Sequence, residues 1–405
     1  MKNNTLNSPA VTPPIIRHIG LDVHKDTIAV AVAEEGADPS FLKSISHDLH
    51  AVEKLVRELR EGGRYALRMC YEAGPTGYVL ARRLKAWGIE CLVLSPTHIP
   101  KASGDKVKTD RRDAVKLARL LRAGDVRGIN IPDDRDEAVR DLCRARTDAV
   151  EDLRRLRQQL KGFLLRNGYR YSGKSSWTAA HMRYLRELVV NHPAQKFVLE
   201  ETIESIERAV HRLAQLEAHM KTVVAEWRMK PAVEALQCLR GIAFIAATTL
   251  VSELGDLSRF DHPAQLMSYL GLVTNERSSG TSRRQGSITK CGNSHARLFL
   301  IEAAHHYRLP PKISKELTIR QEGQSARVRQ IAWIAQNRLH RRYWQLSNRR
   351  VITPKVIIAL ARELSGFIWA VFREAQNPGS VNIRIPKTVN TPKASVRRYI
   401  LSPGN

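Results

Sequence analysis

Lys108-Thr109-Asp110-Arg111-Arg112-Asp113 sets two carboxylates three residues apart in a chain whose formal net charge is +26. Apolar residues Val115, Leu117, Ala118, Leu120 and Leu121 follow at helical spacing, and Thr109 is a suitable N-cap. Asp110 and Asp113 therefore open a helix on one face. Acids in a first turn can simply complement the helix dipole. Two upstream acids change that reading: Asp22, on the polar face of an alternating run, and Glu72, at the end of another. Four hard oxygen donors gathered from separate elements suit Mg2+. Two such ions, about 4 Å apart, would stabilise the attacking and leaving oxygens of a phosphodiester displacement. His24 and Asp26 stand close enough to Asp22 to be considered as ligands, but their turn, His24-Lys25-Asp26, is expected to face solvent.

The elements that must position these acids can be read in order. Ile19, Leu21 and Val23 alternate with Gly20 and Asp22, which predicts a strand over 15–23. Thr27 to Ala33 pairs back as a second strand and Phe41 to Ile45 offers a third. Val52, Leu55, Val56 and Leu59 give a helix over 50–60, closed by Gly62-Gly63. A strand over 65–71 delivers Glu72; a helix over 78–87, a strand over 90–94 and the Asp110 helix follow. Strand, strand, strand, helix, strand, helix, strand, helix is the order of a ribonuclease H-like fold, in which the four acids would meet.

At 405 residues the chain is long enough for two or three domains. Its hydrophobic and charged fractions, 43% and 26%, are ordinary, whereas a charge of +26 points to a polyanion, foremost nucleic acid. No run of about 18 apolar residues suggests a membrane span. Five scattered cysteines, without Cys-x-x-Cys spacing, fit reduced thiols in a cytoplasm. Residues 1–14 read as a disordered lead-in, 15–130 as the acidic catalytic domain, 131–229 as a helical hairpin, 230–376 as a mostly helical carboxy-terminal domain and 377–405 as a disordered basic tail.

In the hairpin, Leu142, Ala145, Ala149, Leu153, Leu156, Leu160 and Phe163 form a coiled-coil seam on a helix over 134–166. Ile206, Leu213, Met220 and Trp227 recur every seven residues on a second helix over 197–227, with Ile203, Val210 and Val224 as a partner stripe that Glu217 interrupts. Residues 172–176 would connect them, and the hairpin would either dimerise the protein, the favoured role, or serve as an intramolecular spacer.

Leu239-Arg240-Gly241-Ile242-Ala243, followed by Ala246 to Leu254, resembles a helix-hairpin-helix whose Arg240 and Gly241 would meet a phosphate. A short helix over 266–270 precedes a polar stretch from Asn275 to Gly286, expected to be a loop without core residues. Its Arg277, Ser278, Ser279, Gly280, Arg283 and Arg284, with Lys290 beyond, suit phosphate contact, as does Lys108. Composition leaves a serine nucleophile open, since Ser needs activation and the nearby cations could stabilise a pentavalent phosphate. Helices over 296–307, 325–347 and 355–374 complete the domain; the second mixes Arg338, Arg341 and Arg342 with Trp333, Tyr343 and Trp344, a pattern that fits strand binding.

Gly20-Leu21-Asp22-Val23-His24-Lys25, Tyr71-Glu72-Ala73, the Asp110 stretch and the block from Tyr269-Leu270-Gly271 to Gly292-Asn293 resemble, in the right order, signatures of the DEDD transposases of the insertion sequence 110/1111 class. That resemblance implies an amino-terminal RNase H-like domain of the Holliday-junction-resolvase (RuvC) type. It implies that Asp22, Glu72, Asp110 and Asp113 bind Mg2+ and that Ser279, or its neighbour Ser278, attacks DNA to form a phosphoserine link. It further implies donor and target DNA as partners, a noncoding guide RNA from the element, dimers joining into a tetramer, and work at the bacterial nucleoid. The competing readings are a junction-resolving Mg-dependent endonuclease without a covalent intermediate and a non-catalytic nucleic-acid-binding protein.

Overall fold

The computed structural model describes residues 15–100, 109–279 and 282–379, and these fall into two compact units that meet in sequence between Ile131 and Pro132. In the first unit β1 (Ile15–Val23), β2 (Thr27–Ala33) and β3 (Ser40–Ser46) form a meander. α1 (Leu49–Arg60), β4 (Tyr65–Glu72), α2 (Val79–Ala86), β5 (Glu90–Leu94) and α3 (Asp110–Ala123) follow. The sheet order is β3-β2-β1-β4-β5, with β2 antiparallel to both neighbours and β1, β4 and β5 parallel.

Burial along β1 does not alternate: His18 through Leu21 are all buried, because helices cover both faces of this central strand. Ile19 and Leu21 pack with Val52, Leu55, Leu80 and Leu84 from α1 and α2. On the other face Ala29, Ala31 and Ala33 meet Ala114 and Ala118 of α3. Gly20 is what lets α3 settle so closely: a Cβ there would lie 2.2 Å from the Ala114 carbonyl oxygen and 2.4 Å from the Ala118 nitrogen. The Thr109 hydroxyl accepts from the Arg112 amide and starts α3 just beyond the carboxyl end of β1. Gly124 ends it in the left-handed conformation.

The second unit opens with two 33-residue helices, α4 (Asp134–Arg166) and α6 (Pro193–Ala225). They run antiparallel: Leu160, Phe163 and Leu164 pack with Leu199 and Ile203, while Val139 and Cys143 share a core with Met220 and Val224. Glu217, which breaks the apolar stripe, is held by Arg146 at 2.7 Å. Two expectations fail here. Val210 is exposed instead of lying in the seam, and the connection contains a further helix, α5 (Ala179–Glu187), which buries Leu185 against the hairpin end.

α7 (Lys230–Leu236), α8 (Phe244–Leu254) and α9 (Pro263–Tyr269) come next. The stretch expected as a loop is instead an antiparallel pair, β6 (Thr274–Ser279) and β7 (Ser282–Ile288). α10 (Ser294–Ala304), α11 (Lys315–Gln321), α12 (Ala326–Asn348) and α13 (Thr353–Gln376) complete the unit. Leu360, Leu364 and Ile368 of α13 lie fully buried in a core shared with α7, α8, α10 and α12. Among the described residues no helix is long and apolar enough to cross a membrane. The expected lead-in and nearly all of the expected tail lie outside the described residues, as do Lys108 and Gly280.

Candidate functional site

The acids of the first unit gather where α3 begins above the carboxyl end of β1. His24 Nε2 lies 3.2 Å from Asp22 Oδ2 and 3.4 Å from Asp110 Oδ1, and one ligand atom from each of the three residues falls within 4.8 Å of the others. His24 is exposed, as expected of its turn, and its imidazole nevertheless reaches both carboxylates. Its amide donates to the Thr27 carbonyl and its carbonyl accepts from His47 Nδ1, at 2.9 and 2.7 Å, which fixes the turn so that the imidazole reaches the carboxylates. Asp26 is exposed and belongs to no such group among the described residues.

Burial pushes the Asp22 carboxyl up, His24 draws it down, and Asp113 and Asp110 push it up again; the net shift is upward. Asp113, one turn on from Asp110, thus acts on Asp22 through its charge. Glu72 enters by register: Leu21 pairs with Tyr71, so the next position sets Asp22 of β1 beside Glu72 of β4. Glu72 is exposed and is not one of the three residues with converging ligand atoms. Carboxylates drawn together from β1 and α3, with mutual repulsion that a divalent cation would relieve, are a donor set that fits a hard metal ion.

In the second unit, backbone crossings anchor the β6/β7 hairpin. Gly271 and Gly292 both have positive φ, and a Cβ on Gly292 would lie 1.9 Å from the Tyr269 carbonyl oxygen. Arg297 ties the crossing by donating to the carbonyls of Leu270 and Cys291 at 2.8 and 3.0 Å. Ser279 ends β6 and is exposed; it pairs with Ser282, while Ser278 pairs with Arg283 and Arg277 with Arg284. Opposite residues of an antiparallel pair share a face, so positions 279 and 284 lie on the same side. Arg284 and Lys290 are exposed. Arg240 instead donates to the Leu309 and Pro310 carbonyls, at 3.2 and 2.7 Å, and Gly241 packs against Ala303 and His306.

A second charged cluster escaped the sequence reading. Glu253, at the end of α8, has a side chain with no exposed surface. Arg144 donates to both of its oxygens at 2.9 and 3.1 Å, Asn293 to Oε2 at 2.6 Å, and His295 Nδ1 lies 3.0 Å from Oε1. Thr147 Oγ1 stands 2.9 Å from His295 Nε2. Burial alone would raise the Glu253 carboxyl, but the hydrogen bonds from His295, Arg144 and Asn293, with the charge of Arg144, bring it down to about 2. A cavity of about 450 Å3 adjoins the cluster. The signal available beforehand was an acid inside an otherwise apolar helix, a residue type that is rarely buried unless paired.

The family models that match fall on both halves of this arrangement. Residues 19–167 match a family of transposases of the DEDD IS110 type, and residues 233–316 match one described as the transposase IS116/IS110/IS902 family. Among relatives, y4qE of Sinorhizobium fredii, a protein named as a transposase, is 44% identical over 364 residues, 89% of this chain and 90% of that one. The transposase for insertion sequence element IS1533 of Leptospira borgpetersenii is 32% identical over 82% of this chain and 97% of its own. The transposase for insertion sequence element IS1111A of Coxiella burnetii is 22% identical over 71% of this chain and 77% of its own.

Proposed function

The chain belongs to the IS116/IS110/IS902 family of transposases, enzymes that cut and recombine DNA, and from that premise we propose a reaction that uses an acidic metal site and a serine nucleophile to move an insertion sequence. The observation that carries this reading is the convergence of Asp22 and Asp110, with Asp113 in electrostatic reach, in a chain of charge +26. The strand order β3-β2-β1-β4-β5 supports a ribonuclease H-like domain of the RuvC type as their scaffold.

Asp22, Glu72, Asp110 and Asp113 would hold divalent cations, Mg2+ foremost, which supply charge stabilisation for the attacking and leaving oxygens of phosphodiester exchange. The residues of the hairpin do the rest. Ser279 Oγ loses its proton and bonds to the scissile phosphorus, the P–O bond to the departing strand breaks, and that strand leaves as a hydroxyl. Attack by a different strand's hydroxyl on the phosphoserine restores Ser279 and joins the new ends without external nucleotide. Arg277, Ser278, Gly280, Arg283, Arg284 and Lys290 would contact phosphates near the serine, and Lys108, Arg240 and Gly241 would add contacts elsewhere on the nucleic acid. Donor and target DNA are selected through a noncoding RNA of the element. The protein works in the bacterial cytoplasm at the nucleoid, as dimers, joined along α4 and α6, that assemble into a tetramer.

Denaturing electrophoresis of the protein with labelled DNA tests the chemistry. Wild type should give a covalent adduct that Ser279→Ala loses while DNA binding survives. An adduct that persists in Ser279→Ala but vanishes in Ser278→Ala moves the nucleophile by one residue. Absence of any adduct under conditions that support strand exchange favours a resolvase-like enzyme that activates water.

A further inference from the structure

Three features stand outside the function just described: the cavity beside Glu253, the aromatic cluster of Tyr171, Trp177, His181 and Tyr184 at the hairpin end, and the imidazole of His24 among the acids. Arg144, Thr147, Asn293 and His295 at the first already hold partners, and the rings of the second pack against one another. His24 is different, because nothing in an all-carboxylate site requires an imidazole.

We propose that His24 is itself a metal ligand, so that the site built from Asp22, His24 and Asp110 is a mixed nitrogen and oxygen set. The proposal rests on the metal reading given above. Ligands about 2.1 Å from a common ion on adjacent octahedral vertices stand about 3.0 Å apart. Nε2 lies 3.2 Å from Asp22 Oδ2 and 3.4 Å from Asp110 Oδ1, within a few tenths of an ångström of that edge. The hydrogen bond of Nε2 goes to Asp22, and Asp110 stands 3.4 Å away as an ion-pair neighbour, so that one nitrogen faces both oxygens. One ring nitrogen carries at most one proton, which cannot serve two carboxylate oxygens fully.

The turn is built to hold this geometry. The His24 amide is bound to the Thr27 carbonyl, its carbonyl is bound by His47, and the His47 amide is bound in turn to the Asp26 carbonyl at 2.9 Å. The imidazole is therefore presented by a fixed backbone at the open side of the acidic cluster, where half of its surface remains exposed. Replacing one oxygen donor with imidazole shifts a site away from Mg2+ and along the series toward Co2+. The chemical class of ligand is a divalent cation that accepts imidazole beside carboxylate, so that Mn2+ and Co2+ are taken as well as Mg2+.

The test uses the full-length protein, Mn2+ as a paramagnetic probe, and calorimetry with Co2+ and Mg2+. Wild type should bind Mn2+ and show nitrogen coupling in pulsed electron paramagnetic resonance, and both should disappear in Asp22→Asn. His24→Gln, which offers an oxygen at similar reach, should keep Mn2+ but lose the nitrogen coupling. Its preference for Co2+ over Mg2+ should fall by about tenfold or more, since even an outer partner of a ligand is worth about 10–100-fold in affinity. Mn2+ bound in wild type without nitrogen coupling, or coupling that survives His24→Gln, overturns the role of His24 and leaves the carboxylate site standing. Mn2+ binding that is absent from wild type, or unchanged in Asp22→Asn, overturns the metal reading itself.

Discussion

Asp22 and Glu253 are both carboxylates withdrawn from water, and they are shifted in opposite directions. Around Glu253 the chain provides its own neutralisation: Arg144, His295 and Asn293 bind both oxygens, and the carboxyl falls to about 2. Around Asp22 the chain adds more negative charge, from Asp113 and Asp110, against the single imidazole of His24, and the carboxyl rises. A strongly basic protein had arginines enough to pair Asp22 as well. That it instead sets acids beside acid at the end of β1 separates the proposed cation site from a buried pair that joins α4, α8 and the start of α10.

The contrast can be broken most severely through activity. Asp22→Asn should reduce strand exchange by about three orders of magnitude or more, equivalent to about 4 kcal/mol of transition-state stabilisation. Measured recombination within tenfold of wild type would remove Asp22 from the chemistry. Glu253→Ala should instead act on folding. It removes the buried carboxylate that Arg144, Asn293 and His295 share, a loss of charge-assisted hydrogen bonds that costs about 3 kcal/mol, read from the denaturant midpoint of the second unit. A change under about 1 kcal/mol would mean that the cluster does not hold these helices together.

Acid provides a finer comparison. Because the folded Glu253 carboxyl lies near 2, below its unfolded value of 4.5, its stabilisation is fully present above about pH 4.5 and disappears as pH falls through about 2. The amount at stake is on the order of 3 kcal/mol. Urea midpoints of wild type and Glu253→Gln should therefore converge between pH 6 and pH 3; a constant gap would show that the lowered carboxyl is not what stabilises the pair.

The first unit was largely legible because each of its elements carries a local signal. Strand alternation around Ile19 and Leu21, the helical stripe from Leu117 to Leu121 and the Thr109 cap agree with one another, and the elements from β1 to α3 lie within a residue or two of expectation. The hairpin of β6 and β7 carried no such signal. Its residues from Asn275 to Gly286 are polar on both faces, so no period of two separates a core side, and backbone pairing with an anchored base defines it. α5 was missed because it follows the serine-rich stretch 172–176 that reads as the whole connection, and its nine residues are too few for a clear helical period. Glu253 was missed and His24 was set aside for a common reason: each takes its meaning from residues distant in sequence, Arg144 with His295 in one case and Asp110 in the other.

Thermal melting of wild type, Asp22→Asn and Glu253→Gln, each with chelator and with added Mg2+ or Mn2+, compares the two carboxylates in one experiment. Without cation, Asp22→Asn should melt above wild type, because a partly buried and crowded charge has been removed, and Glu253→Gln should melt below it. On adding cation, wild type and Glu253→Gln should both rise by linkage to binding, while Asp22→Asn should not respond. A cation-induced rise in Asp22→Asn equal to that of wild type would contradict the assignment of Asp22 to a metal site.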